Sequence, residues 1–301
     1  METLKGFLFS PDGAPIPTVL QAVLGVAVLA LFWIWETVHP LFGQAERIRH
    51  ATRNLALAVV NNVILGLLFG FLTAFIARWA EGESIGLLHL VDLGWPIRLG
   101  LGLVMLDGWM YLWHRANHGI PLLWRFHRVH HSDRNMDVTT ATRFHIGEHF
   151  GASILRLVLI PVLGLDLWTL VIYHAMVLAV TQFHHADISL GRWDCWLRWL
   201  IVTPDMHKVH HSDEKCETDA NFSTVLSLWD RLAATFRMRD DPHTIHFGLP
   251  EYTAPWWQTW WALWVAPFIE PTIQPPAKTV PAEPIRESAR PVPAKQTQVC
   301  P

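Results

Sequence analysis

The sequence predicts an all-α integral membrane protein with about four transmembrane helices, the last two a hairpin, and a cytoplasmic helical cap carrying clustered histidines. Three observations predict it. Charged residues make up only 16% of the 301-residue chain and hydrophobic ones 51%, whereas soluble domains carry roughly 25% charged residues. Apolar runs of membrane-spanning length recur along the first two thirds of the chain. Finally, 13 of the 18 histidines fall between residues 114 and 211. The net charge of -3 lacks the basic excess of a nucleic-acid binder, so no nucleic-acid partner is expected. Three cysteines, Cys195, Cys216 and Cys300, are too few for a disulfide framework.

The first sixteen residues lack the pattern of a cleavable signal. The first apolar run, Thr18 to Trp35, has no charge; as a helix it spans about 27 Å, enough for the hydrocarbon core. The second, Leu55 to Ala77, contains Asn61 and Asn62, and the third, Ile97 to Trp113, contains Asp107. The fourth, Phe150 to Phe183, is too long for one straight span and carries Pro161, Gly164 and Asp166 in its middle. It reads as a helical hairpin turning at Gly164–Asp166.

Basic residues set the orientation. They concentrate at Arg47, Arg49 and Arg53; at Arg115, Arg125, Arg128, Arg134 and Arg143; and at Arg192, Arg198, Lys208 and Lys215. An even number of crossings separates these three regions, which places them together on the cytoplasmic side. The expected location is a bacterial inner membrane, or the endoplasmic reticulum in a eukaryote. Trp193, Trp196 and Trp199, and then Trp256, Trp257, Trp260, Trp261 and Trp264, suit segments lying at the headgroup level. From Pro271 onward, eight prolines in 31 residues predict a disordered tail. The organisation is therefore residues 1–98 (membrane spans), 99–240 (catalytic domain), 241–270 (Trp-rich interfacial segment) and 271–301 (tail).

The histidines form spaced groups. His114 and His118 make HxxxH, His127, His130 and His131 make HxxHH, and His207, His210 and His211 repeat HxxHH. The last two lie in near-copies, HRVHHSD at 127–133 and HKVHHSD at 207–213. On a helix, positions i, i+3 and i+4 share a face, so each group aims imidazoles at one place. Imidazole suits iron, zinc, copper and nickel. Eight such nitrogens exceed the four of a closed tetrahedral zinc and fit two metals with positions left open. His145, His184 and His185 are further candidates to complete the ligand shell. His39, His50, His89, His243 and His246 lack partners at helical spacing and read as surface or interface residues, and His174, inside an apolar run, as a hydrogen-bonded core group. Asp107 and Tyr111 precede His114 on one helical face. A carboxylate within a span is a functional candidate, and Asp107 is placed to accept a ring N–H from a ligating histidine.

The ordered set of boxes resembles the fatty acid hydroxylase superfamily, also called the sterol desaturase family. The resemblance extends over about residues 100–240. It includes Asp107-x3-Tyr111-x2-His114-Arg115 before the first box, His131-Ser132 with Met136 and Thr140 after the second, Thr203-Pro-Asp-Met-His207 at the last, and Asn221 through Leu226-Ser227 to Trp229-Asp230-Arg231 beyond it. It implies a pair of iron ions, with zinc able to take their place in a recombinant sample. It implies a lipid substrate, O2, and electrons from a separate donor, a ferredoxin- or cytochrome b5-like protein with its reductase, for hydroxylation or desaturation. Carried over by position, the metal ligands are His114, His118, His127, His130, His131, His185, His207, His210 and His211, with His145 added. Asp107, Tyr111, Glu148 and Asn221 are the catalytic candidates. The chain departs from the pattern at Ile146 (usually Pro), Asp187 (usually Asn), Ser223 (usually Gly) and Ala233-Ala234 (usually Phe-Gly). Two other readings of the same histidines are a membrane zinc hydrolase, which needs a general base such as Glu148 beside the metal, and a bis-histidine haem electron carrier. Metal content and an optical spectrum separate all three.

Overall fold

A computed structural model of the chain describes residues 17–43 and 46–271; residues 1–16 and the segment from 272 onward, where the tail was expected, lie outside them. Among the described residues there is no strand, only two isolated bridges, Ile201 with Leu226 and Ser212 with Phe247. The chain is an all-α membrane protein. Its main helices are α1 (Pro17–Val38), α2 (Arg47–Gly82), α3 (Trp95–Gly119), α4 (Pro121–His131), α5 (Ile146–Leu163), α6 (Leu167–His185) and α7 (Pro204–His210).

Helices α1, α2, α5 and α6 are long and apolar enough to cross a membrane. The third apolar run forms α3, which also has the length, but its second half carries Asp107, His114, Arg115, Asn117 and His118 and lacks the hydropathy of the other four. Helix α2 has 36 residues, or about 54 Å at 1.5 Å per residue, so its first turns extend beyond the hydrocarbon. There His50 and Asn54 are buried in the cap. The hairpin turns where expected. Gly164 takes the left-handed conformation (φ 77°) that closes α5, and Asp166 caps α6 by accepting from the Thr169 N–H at 2.6 Å.

The helices run so that one end of the bundle collects the histidines. At that end, the Asp187 carboxylate after α6 accepts from the Phe42 and Gly43 amides after α1, and His50 of α2 meets Asp133 and Asp137 after α4. At the other end, Gly86 lies so close to Gly164 that a Cβ on it would sit 2.2 Å from the Gly164 nitrogen. Leu88 there packs with Leu106, Leu163 and Leu165. The three basic regions thus share one end. Three of the cations counted for orientation are not surface charges, however. Arg143 and Lys208 are fully buried and Arg128 is buried as well. Lys208 donates to the Ala186 and Ile188 carbonyls at 2.9 and 2.8 Å, tying α7 to the end of α6.

The two tryptophan groups behave differently. Trp193, Trp196 and Trp199 remain 64–68% exposed, as an interfacial ridge would. The 255–269 segment instead folds over the cap. Trp257 and Leu263 are buried in one cluster with Leu57 and Val129, and Arg128 donates to the Ala266 and Ile269 carbonyls. This stretch covers the box helix α4.

Ala234, where the resembled pattern has Gly, sits at φ 56°. A left-handed conformation costs an L-residue about 1–2 kcal/mol. Ala234→Gly should therefore stabilise the detergent-solubilised protein by about 1 kcal/mol in reversible unfolding; an unchanged or lowered stability would mean that the turn is not strained.

Candidate metal centre

Nine imidazoles converge at the cap end in two groups. His114, His118, His127, His131 and His210 form one, and His130, His185, His207 and His211 the other; in each, the ring nitrogens lie within 4.8 Å of one another. The helical repeat explains the sharing. Both HxxHH segments are helical, in α4 and α7. Each gives its i, i+4 pair to one group and its i+3 residue to the other: His127 and His131 with His210, and His207 and His211 with His130. His114 and His118 of α3 complete the first group and His185 of α6 the second.

In the first group ring nitrogens meet lone pair to lone pair. His114 donates Nδ1–H to the Phe222 carbonyl at 2.8 Å, His210 to the Ala220 carbonyl at 2.6 Å, and His185 to the Thr181 carbonyl at 2.7 Å. His127 donates Nδ1–H to Glu148 at 3.0 Å. Carbonyls and carboxylates only accept, so in a neutral ring the Nε2 atom of each of these four carries no proton. Yet His114 Nε2 lies 3.1 Å from His127 Nε2 and 3.0 Å from His210 Nε2. Acceptors at that distance repel unless a cation lies between them. In the second group, His185 Nε2 lies 3.1 Å from both His130 Nε2 and His207 Nε2, whose Nδ1 atoms have no partner. Nitrogens bound about 2.1 Å from one ion at right angles or slightly wider sit about 3.0–3.2 Å apart. Nε2 of His118 and Nε2 of His211 are buried with no hydrogen-bond partner, which is unusual unless a further group takes them; His118 Nδ1 lies 3.4 Å from the Asp219 carboxylate. The donor set fits a pair of metal ions.

Burial prepares the rings. Burial first, and the neighbouring imidazoles second, hold His130, His131, His207 and His211 well below the usual histidine range. Burial likewise pushes His210 down to about 3. They stay neutral at physiological pH, as ligands must. Aromatic walls exclude water: Phe144 stacks on His130 at 4.2 Å, Phe222 packs on His118 at 5.1 Å, and Trp124 stands 5.0 Å from His118.

Not every predicted residue joins these groups. His145 is not a ligand candidate in this geometry: its Nδ1 accepts from the Gly147 N–H as the cap of α5, and its Nε2 faces the Trp264 carbonyl at 3.2 Å. His184 is buried, its ring centroid 3.9 Å from that of His207, yet belongs to neither group. Asp107 does not accept from His114. It holds the Tyr173 hydroxyl, the Trp229 indole and the Val225 and Leu226 amides, fixing the loop whose Phe222 carbonyl takes the His114 proton. Tyr111 bonds Thr235 at 3.0 Å, away from the ring nitrogens. Glu148 also accepts from Asn117, at 3.1 Å.

Asn221 acts through the backbone. At φ 55°, a conformation Asn tolerates, it turns the flanking carbonyls of Ala220 and Phe222 toward His210 and His114. Its side-chain amide donates to the Met206 and Arg237 carbonyls. His50, expected at the surface or an interface, is buried and bridges Asp133 at 2.8 Å and Asp137 at 2.9 Å. Burial would raise the Asp133 carboxyl, but His50 and Arg143 beside it hold it below the usual range. A histidine five residues before the second apolar run gave no spacing signal; its partners lie more than eighty residues away.

Residues 99–235 match the sequence model of the family described as fatty acid hydroxylase. This stretch is similar to fatty acid hydroxylase domains. The ornithine lipid hydroxylase of Rhizobium tropici is 29% identical over 157 residues, 52% of this chain and 47% of that protein. The alkylglycerol monooxygenase of Xenopus tropicalis is 24% identical over 232 residues, 75% of this chain and 48% of that protein. The human cholesterol 25-hydroxylase is 23% identical over 148 residues, 46% of this chain and 51% of that protein. The chain thus spans about half the length of the curated relatives it matches. No solved structure matches.

The support residues are open to test. Loss of a group that orients a ligating histidine costs about 10–100-fold in metal affinity or activity. Glu148→Leu and Asn221→Val should each lower metal affinity by that amount, measured by chelator competition, while Asn221→Gly, which keeps the backbone conformation, should fall less than Asn221→Val. Affinities equal to the unsubstituted protein would remove both residues from the centre.

Proposed function

We propose that the chain is a membrane-bound, non-haem di-iron oxygenase that hydroxylates or desaturates a lipid, using O2 and electrons from a separate donor protein. One observation carries this reading: two adjoining groups of buried imidazoles converge at the cap end of a chain that matches the fatty acid hydroxylase model. The relatives' names, each a lipid hydroxylase or monooxygenase, support the substrate class.

When bound, a pair of irons would supply reductive activation of O2 and attack on an unactivated C–H bond. Held by His114, His118, His127, His131 and His210 on one side and His130, His185, His207 and His211 on the other, the pair would leave positions for O2 and substrate. The protein's own part is positioning. Glu148 and the carbonyls of Thr181, Ala220 and Phe222 fix the tautomers, and Phe144, Phe222 and Trp124 keep water out. The helices that cross the bilayer bring the site to a substrate already dissolved there.

The rival readings fit the geometry less well. A zinc hydrolase needs a free base, and Glu148 is spent on His127 and Asn117. A bis-histidine haem needs room for a porphyrin between its ligands, and these nitrogens lie in contact.

Protein purified without oxygen should hold about two irons per chain and show no Soret band. His130→Ala and His210→Ala, one from each group, should each lower lipid oxidation at least 100-fold while the protein still inserts. Full turnover in both variants would refute the assignment. The arginine distribution further supports a cytoplasmic location for the histidine end. Reporter fusions after Arg143 and after Met238 should both give the cytoplasmic signal; an opposite signal at either would refute that orientation.

A further inference from the structure

The segment that follows the last histidine box serves the first histidine group in order. The Ala220 and Phe222 carbonyls accept the Nδ1 protons of His210 and His114, with the left-handed Asn221 between them. One residue earlier stands Asp219. Its Oδ1 lies 3.4 Å from Nδ1 of His118, on the last turn of α3. Residues 219–222 thus face three of the five rings of that group. The other carboxylate oxygen is already paired. Oδ2 accepts from Lys215 Nζ at 2.7 Å, from the start of the short helix Lys215–Thr218, and the Asp219 amide donates to the Lys215 carbonyl at 2.9 Å. Main chain and side chain together hold the carboxylate with Oδ1 left for His118.

His118 has no other support. Its side chain is 2% exposed, and neither ring nitrogen makes a hydrogen bond. The rings of Trp124 and Phe222 wall it at 5.0 and 5.1 Å and offer no acceptor. We propose that Asp219 is the positioning residue of His118: its carboxylate takes the Nδ1 proton and so turns Nε2 toward the first metal position. The 3.4 Å contact is longer than a formed N–H···O bond of about 2.7–3.2 Å. On this assignment it closes when Nε2 is given to a metal and the ring proton is confined to Nδ1. A carboxylate acceptor also makes the imidazole a more basic ligand than a carbonyl would. This support differs from the others in its exposure. Ala220, Phe222 and Glu148 are buried, whereas the Asp219 side chain is 39% exposed and that of Lys215 87%. The first group is thereby tied to the cap surface through one side chain.

The assignment rests on the two-metal reading above, and metal binding without turnover tests it. Zinc is titrated against a competing chelator into the metal-stripped, full-length protein in detergent. The unsubstituted protein should bind two equivalents. Asp219→Ala should weaken one of them by about 10–100-fold and the other far less. Asp219→Asn keeps an oxygen able to accept the proton and should lose less than Asp219→Ala. Lys215→Met removes the ion pair but leaves the acceptor; an exposed pair contributes little, so its loss should stay below about fivefold. A role confined to closing the helix turn would instead make Asp219→Ala and Lys215→Met alike. In the zinc-loaded protein with isotope-labelled histidine, one hydrogen-bonded ring N–H resonance should vanish in His118→Ala, shift in Asp219→Ala and hold its position in Lys215→Met. Unchanged affinities in Asp219→Ala, or losses equal to those of Lys215→Met, would overturn the assignment of Asp219 alone. Failure of the unsubstituted protein to bind two equivalents would overturn the two-metal reading with it.

Discussion

The arrangement depends on one constraint: buried imidazole nitrogens are held 3.0–3.2 Å apart, and around His114 they face one another lone pair to lone pair. Left alone, such pairs repel, and burial removes the water that would separate them. The fold maintains them by fixing the opposite nitrogen of four of the rings. Four Nδ1 protons are committed to Phe222, Ala220, Thr181 and Glu148. Three of these acceptors are backbone carbonyls, and two of those are oriented by the left-handed Asn221 between them. Metal affinity here is a property of loop geometry as much as of the histidines.

The support reaches outward in layers of buried charge. Arg143 ties the carbonyl of Val129 in α4 to Asn54 of α2 and Gln258 of the covering segment. His50 of α2 holds the two carboxylates of the loop that follows α4. Lys208 joins α7 to the end of α6. Such charges are expensive to bury unless every one is paired. Here each is hydrogen-bonded, Lys208 to carbonyls alone, and each joins elements distant in sequence. The cap is thereby built on the ends of the membrane helices rather than attached to them.

Much of this was legible in the sequence because helical spacing is local. The i, i+4 pairs of the HxxxH and HxxHH boxes, the hairpin turn at Gly164 and the apolar runs all follow from short-range periodicity. The exchange between boxes, in which His130 joins the partners of His207 and His210 those of His127, follows from the same periodicity but requires knowing that α4 and α7 face each other. Roles set by distant backbone were not legible. Asp107 has the spacing to orient His114, yet its acceptors are taken by the 225–229 loop and Tyr173, and a carbonyl does the job instead. His145 sits in a motif-like string, but as a helix cap it spends the nitrogen a metal would need. His50 lacked any local signal because its partners come from another part of the chain.

The most direct test is to locate metal in the purified protein by anomalous diffraction at the iron edge. The account predicts two peaks per chain, one ringed by His114, His118, His127, His131 and His210 and the other by His130, His185, His207 and His211, with His145 bound to neither. A single peak, or a peak ligated by His145 in place of one of these groups, would contradict it.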